Sequence, residues 1–309
     1  MITSIFDKTR PLNYLIIAIL LLLAQFAYFF LNGLFSNGLI SIAYFIVYFG
    51  VNVASLALVN FVTLRNTLTK NNNFAVLLYF IFLLFFPKTF QSGEVLISNF
   101  FLLLALRRLV SLRSMISIKE KIFDASFWIF VATLFHFWSI SYILLVFISI
   151  ILHVSRDFKN WLIPFIALFS VTVLFFAVNI AFDNKLLSHL MEQSYLSFDF
   201  TYFETVYQNI ALSIYVSVAL LFFINMNLTQ ASKPLNLQSS FKKVIFSFVL
   251  GVFIYVLSAN KNNSCLLFSF APLAVMGGNF FDGLQNKVLK EIILITLFIF
   301  GVFFFVMAL

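Results

Sequence analysis

The chain has 309 residues, of which 63% are hydrophobic and 10% charged, with a mean hydropathy of +1.07. Soluble domains carry roughly 25% charged residues, so a chain this apolar is excluded from that class and takes the bilayer as its solvent. Its single cysteine, Cys265, excludes an intrachain disulfide and a thiolate metal cluster. Three scattered histidines (His136, His153, His189) imply neither a metal site nor a cofactor.

The N-terminal "MITSIFDKTRPLNY" is short and polar and lacks the pattern of a cleavable signal peptide. Apolar runs then follow at 12–32, 39–63, 74–87, 95–110, 122–137, 140–154, 161–181, 206–226, 244–258, 264–280 and 291–309. They are continuously apolar, which predicts helices and not barrel strands. The expected fold is all-α: a polytopic integral membrane bundle of about eleven transmembrane helices in a single domain, residues 1–309. Several runs fall short of the roughly 20 residues that cross a bilayer. "FAVLLYFIFLLFFP", for example, stops at Pro87, and the runs at 122–137 and 140–154 meet at the tight turn "HFWSIS". Such helices either sit in a thinned patch or are screened by their neighbours.

Two connections are long. "DNKLLSHLMEQSYLSFDFTYFET" (183–205) has Leu186, Leu187, Leu190 and Met191 at helical spacing. Aromatics follow at Tyr195, Phe198, Phe200, Tyr202 and Phe203. It reads as an interfacial amphipathic segment. "NMNLTQASKPLNLQSS" is polar, contains Pro234 and reads as a loop.

With the N-terminus cytoplasmic and the spans alternating, 16 of the 19 Lys and Arg fall inside, and only Lys88, Lys185 and Lys261 fall outside. This follows the positive-inside rule and places the C-terminus outside. It also accounts for the net charge of +8 without nucleic acid. The 46 phenylalanines admit an isoprenoid-binding surface. Their company of abundant Ile, Asn and Lys reads more simply as the composition of an AT-rich genome.

Few residues suggest chemistry. In "ALRRLVSLRSMISIKEK", Arg107, Arg108, Arg113 and Lys119 suit anionic headgroups, or else simply anchor the inner face. Glu94 is a catalytic candidate as a general base, or a ligand for a divalent cation. The plainer reading is a helix start, with Ser92 as cap and Glu94 in the first turn. Asp124 reads as a charge near a helix N-terminus, and His136 as a packed side chain more than a proton relay. "SANKNNSC" (258–265) is the best candidate site. Lys261, Asn260, Asn262, Asn263 and Ser264 place donors at a helix start on a face poor in cations, with Lys88 able to share the cleft. Such donors fit a lipid phosphate, and an Asn-rich turn capped by Ser264 is the alternative.

The stretches "FDASFWIFVATLF" and "DFKNWLIP" lie within a run from Pro87 to about Phe175. That run resembles an uncharacterised family of polytopic membrane proteins from Bacteroidota. More distantly, its order of hairpin, basic inner loop, hairpin and longer helix is similar to the middle of GT-C glycosyltransferases. The resemblance implies a bacterial inner-membrane protein of envelope assembly that handles polyprenyl-phosphate sugars. Those enzymes carry catalytic acids in the first outer loop. Here that loop, "NGLFSNGL" at 33–40, has no Asp or Glu, which implies a non-catalytic member binding a lipid-linked phosphate. The other readings are an active polyprenyl-phosphate-dependent glycosyltransferase, a scaffold subunit with membrane-protein partners, and a transporter. Against the transporter, the chain has no midplane charges and no inverted repeat.

Overall fold

The computed structural model describes residues 2–36, 38–155, 157–181, 185–198, 205–258 and 261–309. The protein is 85% helix, and no strand occurs among the described residues. A short N-terminal helix, α1 (Ile2–Phe6), leads into α2 (Pro11–Leu31), α3 (Leu39–Arg65), α4 (Phe74–Phe85) and α5 (Gly93–Ser111). Then come α6 (Ile118–Phe135), α7 (Ile143–His153), α8 (Lys159–Ala181) and the short α9 (Lys185–Gln193). The chain closes with α10 (Val206–Thr229), α11 (Leu235–Leu257), α12 (Leu267–Gly283) and α13 (Lys287–Met307).

All eleven predicted runs are helical, but among the described residues eight helices are long and apolar enough to cross a membrane by length and composition. Two stretches are too short: α4, and the run Phe137–His153, in which a 3-10 turn leads into α7. A third helix, α6, opens with Lys119, Glu120, Lys121 and Asp124. The short α4 is explained by screening. All twelve of its residues are buried, so it meets protein and not lipid, and its length of about 18 Å need not match the hydrocarbon thickness. At the other extreme, α8 has 17% of its apolar window buried and presents Phe165, Phe169 and Phe176 outward, as a lipid-facing helix does.

The centre is made by α4 and α12, which run antiparallel. Phe74 at the start of α4 packs on Phe281 at the end of α12. Beside them α13 runs parallel to α4, with Lys290 over Phe74 and Phe304 against Phe85. Phe82, Phe86, Tyr215 and Phe270 form a buried aromatic cluster joining α4, α10 and α12, with centroids 5.3–6.0 Å apart. Gly251 lets α11 approach α12, since a Cβ there would lie 2.7 Å from the Phe268 carbonyl oxygen. Hydrogen bonds between buried side chains join the helices further, including Tyr215 to Ser269 (2.7 Å), Ser98 to Ser139 (2.7 Å) and Asn99 to Tyr79 (3.2 Å).

Further polar contacts between elements mark the two ends of the bundle. At one end Lys290 pairs with Asp7 (3.8 Å), Arg108 with Asp124 (2.9 Å) and Lys119 with Asp157 (4.0 Å). At the other, Ser92 meets Ser264, Gln193 meets Glu94, and Lys261 donates to the Ser197 carbonyl.

The expected loop before α11 is largely helix. α10 continues to Thr229 and α11 begins at Leu235, directly after Pro234. Phe241, Lys243 and Val244 are buried, and packing of these early turns against the bundle outweighs their polar composition. The amphipathic segment forms α9, with Leu187, Met191, Tyr195 and Phe198 exposed. Phe200, Tyr202 and Phe203 lie outside the described residues.

Candidate functional site

Pro87 ends α4 and starts a 3-10 turn, Pro87–Phe90, which turns the chain into α5. Gly93 opens α5 beneath Tyr48 of α3, where a Cβ would lie 2.4 Å from the tyrosine oxygen. Glu94 stands in the first turn of α5, as expected, but Ser92 makes no side-chain cap. Its hydroxyl donates instead to the Lys88 carbonyl (2.9 Å) and shares a hydrogen bond with Ser264 (2.8 Å). That bond ties the start of α5 to the 3-10 turn Asn263–Leu266, which leads into α12. Ser264 therefore lies within a turn, fully buried, and does not act as a helix cap.

Two further elements close the site. α6 ends at Phe135, and His136 follows in extended backbone with its ring 5.2 Å from that of Phe268. From α9, Gln193 donates its amide N–H to Glu94 Oε2 (2.9 Å), while its carbonyl accepts from the Phe137 N–H (3.2 Å). Together these segments surround a cavity of about 360 Å³. It is lined by Tyr48, Gln91, Ser92, Glu94, His136, Gln193, Ser258, Asn262 and Cys265, among others. His136 is 7% exposed, and its Nε2 has no hydrogen-bond partner among the described residues. A buried imidazole nitrogen of that kind is costly unless a ligand or water meets it. The wall offers one carboxylate, one imidazole, three amides and several hydroxyls, which suits a ligand rich in hydrogen-bonding groups.

A second cavity of about 500 Å³ opens between α10 and α11. Its walls are Leu212, Val216, Leu220, Phe223, Phe248 and Val252, with Asn209 and Asn263 at its polar edge. Residues of the turn 262–266 border both spaces. Ser258, Asn262 and Cys265 face the polar cavity, and Asn263 and Leu266 face the apolar one.

The residues expected at this end are thus distributed around the cavity. Glu94 and Asn262 line it. Asn263 turns to the apolar groove, and Ser264 lies behind the wall. Lys261 is 7% exposed, donates to the Ser197 carbonyl and lies 5.8 Å from the Phe198 ring centroid. Lys88 is exposed on the 3-10 turn and is not among the lining residues. Asn260 lies outside the described residues. Tyr48, Gln91, Gln193 and Ser258 went unread in the sequence. Gln193, closing an amphipathic stretch, offered the one usable signal.

At the opposite end each expected headgroup contact has a neighbour within the protein. Arg107 lies 4.5 Å over the Phe61 ring, Arg108 and Lys119 pair with Asp124 and Asp157, and Arg113 donates to Thr67 (3.3 Å). They sit on separate contacts and form no single site. Asp124 lies in the second turn of α6, and its partner is Arg108 of α5. Among the described residues no three His, Cys, Asp or Glu side chains are grouped to hold a metal ion.

No protein-family model, curated protein or solved structure matches the chain.

Proposed function

We propose that this is a multi-pass protein of the bacterial cytoplasmic membrane whose Glu94 end faces outward and holds a lipid-linked phosphate. In this reading it serves envelope assembly without turnover of its own. The observation that carries the reading is the pairing of a polar cavity with an apolar groove that both border one turn, 262–266. An amphiphile has that division of chemistry. Its hydrophilic head, of sugar-like polarity, is met by Glu94, Gln193 and Asn262, and its isoprenoid chain lies along Val216, Phe223 and Val252. Lys261, which donates to the Ser197 carbonyl, and the exposed Lys88 lie at this end of the bundle outside the cavity lining, and their positive charge favours a phosphate nearby. The outward orientation rests on the distribution of Lys and Arg, 16 to 3. The absence of an acid in 33–40, and the GT-C-like order of the central hairpins, support a binding role in place of a catalytic one.

The test is mass spectrometry of lipids extracted from protein purified in mild detergent. A polyprenyl phosphate or its glycoside is expected to be enriched over bulk phospholipid. Val216→Trp in the groove and Asn262→Ala in the cavity are expected to lower that enrichment severalfold. Recovery of bulk phospholipid alone, in membrane proportions, would remove the reading.

A second reading, glycosyl transfer with Glu94 as base, is favoured by the presence in one cavity of Glu94 and of His136, whose Nε2 has no partner among the described residues. It requires release of sugar from a polyprenyl-phosphate donor, abolished by Glu94→Gln. Absence of turnover with such donors would dismiss it.

A further inference from the structure

The loop after α3 reads "NTLTKNNN" (66–73), a polar stretch between two apolar helices at the end opposite Glu94. It packs tightly on α12, where a Cβ on Gly278 would lie 2.9 Å from Thr69 Cγ2. Its backbone is strained at Thr67, a β-branched residue at φ 53°. Such residues rarely adopt the left-handed region, and they concentrate where a ligand or switch is held. The loop, the end of α12 and the start of α11 enclose a cavity of about 570 Å³.

Two ammonium groups belong to this cavity. Lys233 donates to Asn279 Oδ1 (3.2 Å), and Lys70 donates to the Asp282 backbone carbonyl (3.4 Å). Neither lies within ion-pair distance of a carboxylate among the described residues; the Asp282 carboxylate still acts on Lys70 from beside it, and Lys233 also lies 5.4 Å from the Phe241 ring centroid. The one carboxylate in the lining, Asp282, is already engaged. It accepts from the Lys70 N–H (2.8 Å) and from the Asn72 amide (2.5 Å). Thr69 is 8% exposed, lines the cavity, and has a hydroxyl with no partner among the described residues. A buried hydroxyl without a partner is destabilising, and a bound acceptor relieves it. Arg113 reaches the same loop at Thr67.

We infer that this cavity binds a phosphate group, held by Lys70, Lys233 and the Thr69 hydroxyl. Two ammoniums beside one carboxylate leave the cavity net positive, and with the unpartnered Thr69 hydroxyl in its wall they suit a compact oxyanion able to accept several hydrogen bonds. The phosphate of an anionic phospholipid and free phosphate share that chemistry.

The experiment uses the full chain in phosphatidylcholine nanodiscs. In one arm inorganic phosphate is titrated and followed calorimetrically. In the other, phosphatidylglycerol is added and its retention is read by native mass spectrometry. One phosphate or one phosphatidylglycerol per chain is expected, and the arm that responds names the source. The double variant Lys70→Met/Lys233→Met is expected to weaken that binding by about tenfold or more, and Lys70→Arg/Lys233→Arg to keep it. Failure of both probes to bind, or equal binding by the double Met variant, overturns the inference. Should the double variant not fold, Thr69→Val decides. It removes one hydroxyl at nearly constant volume and is expected to weaken binding severalfold, and unchanged binding overturns the inference.

Discussion

The Gln193 amide donates to the Glu94 carboxylate at 2.9 Å, joining residues 99 positions apart across the mouth of the polar cavity. Through its other end Gln193 holds the Phe137 N–H, so one side chain fastens α9 to both α5 and the turn after α6. Gln193→Ala is therefore expected to loosen α9 while costing the bundle only about 1 kcal/mol, because the bonds lie near solvent. Cysteine labelling of Met191→Cys should quicken in the Gln193→Ala background with little change in unfolding temperature. An unchanged labelling rate would show that α9 is held by its apolar side chains alone.

The approach of α11 to α12 at Gly251 leaves no room for a methyl group, and the atom it would meet belongs to the backbone at Phe268. Backbone cannot swing aside as a flexible side chain does. Gly251→Ala is expected to destabilise by about 1–3 kcal/mol, and Gly251→Val by more. Thermal unfolding in detergent reads this directly, and wild-type behaviour from Gly251→Ala would mean a looser contact.

Lys243 is fully buried, and its ammonium donates to the Leu109 carbonyl in the last turn of α5 at 2.6 Å. The Leu109 carbonyl also accepts from the Leu112 N–H, and it lies at the negative end of the helix dipole, where a lysine is favourable. Lys243→Ala leaves a cavity and removes one of the two hydrogen bonds to the Leu109 carbonyl, which keeps that from the Leu112 N–H, with an expected cost of about 2–5 kcal/mol. Lys243→Met keeps the apolar stem and should cost less. Equal unfolding temperatures for wild type and Lys243→Ala would contradict this role.

Sidedness is open to chemical labelling. Met115 lies at the end with the Arg108–Asp124 pair, Tyr195 follows α9 at the other, and they are 53% and 71% exposed. In a Cys265→Ser background, an impermeant maleimide is expected to label Tyr195→Cys in intact cells and Met115→Cys only after permeabilisation. The reverse pattern would turn the Glu94 cavity toward the cytoplasm and end the proposal of an outward-facing ligand.

The residues alone determined the membrane class, the positions of eleven helices and the grouping of their polar ends. In hydrocarbon every backbone group must bond within its own helix, so long apolar runs have one local solution. Pro87 and Pro234 marked turns for the same local reason. Tertiary structure decided which helices need not meet lipid. α4 reads like a short span but is wholly enclosed, a property of its neighbours and not of its own twelve residues. It also decided the sites. Glu94, His136, Gln193 and Asn262 share one cavity, and Lys70, Thr69 and Lys233 share another, only because distant turns are brought together by the antiparallel packing of α4 and α12. Lys261, the most conspicuous cation of its loop, lies instead against Ser197 and Phe198. Spacing along a chain reports the face of a helix, but the partner on that face depends on packing between helices that are far apart in sequence.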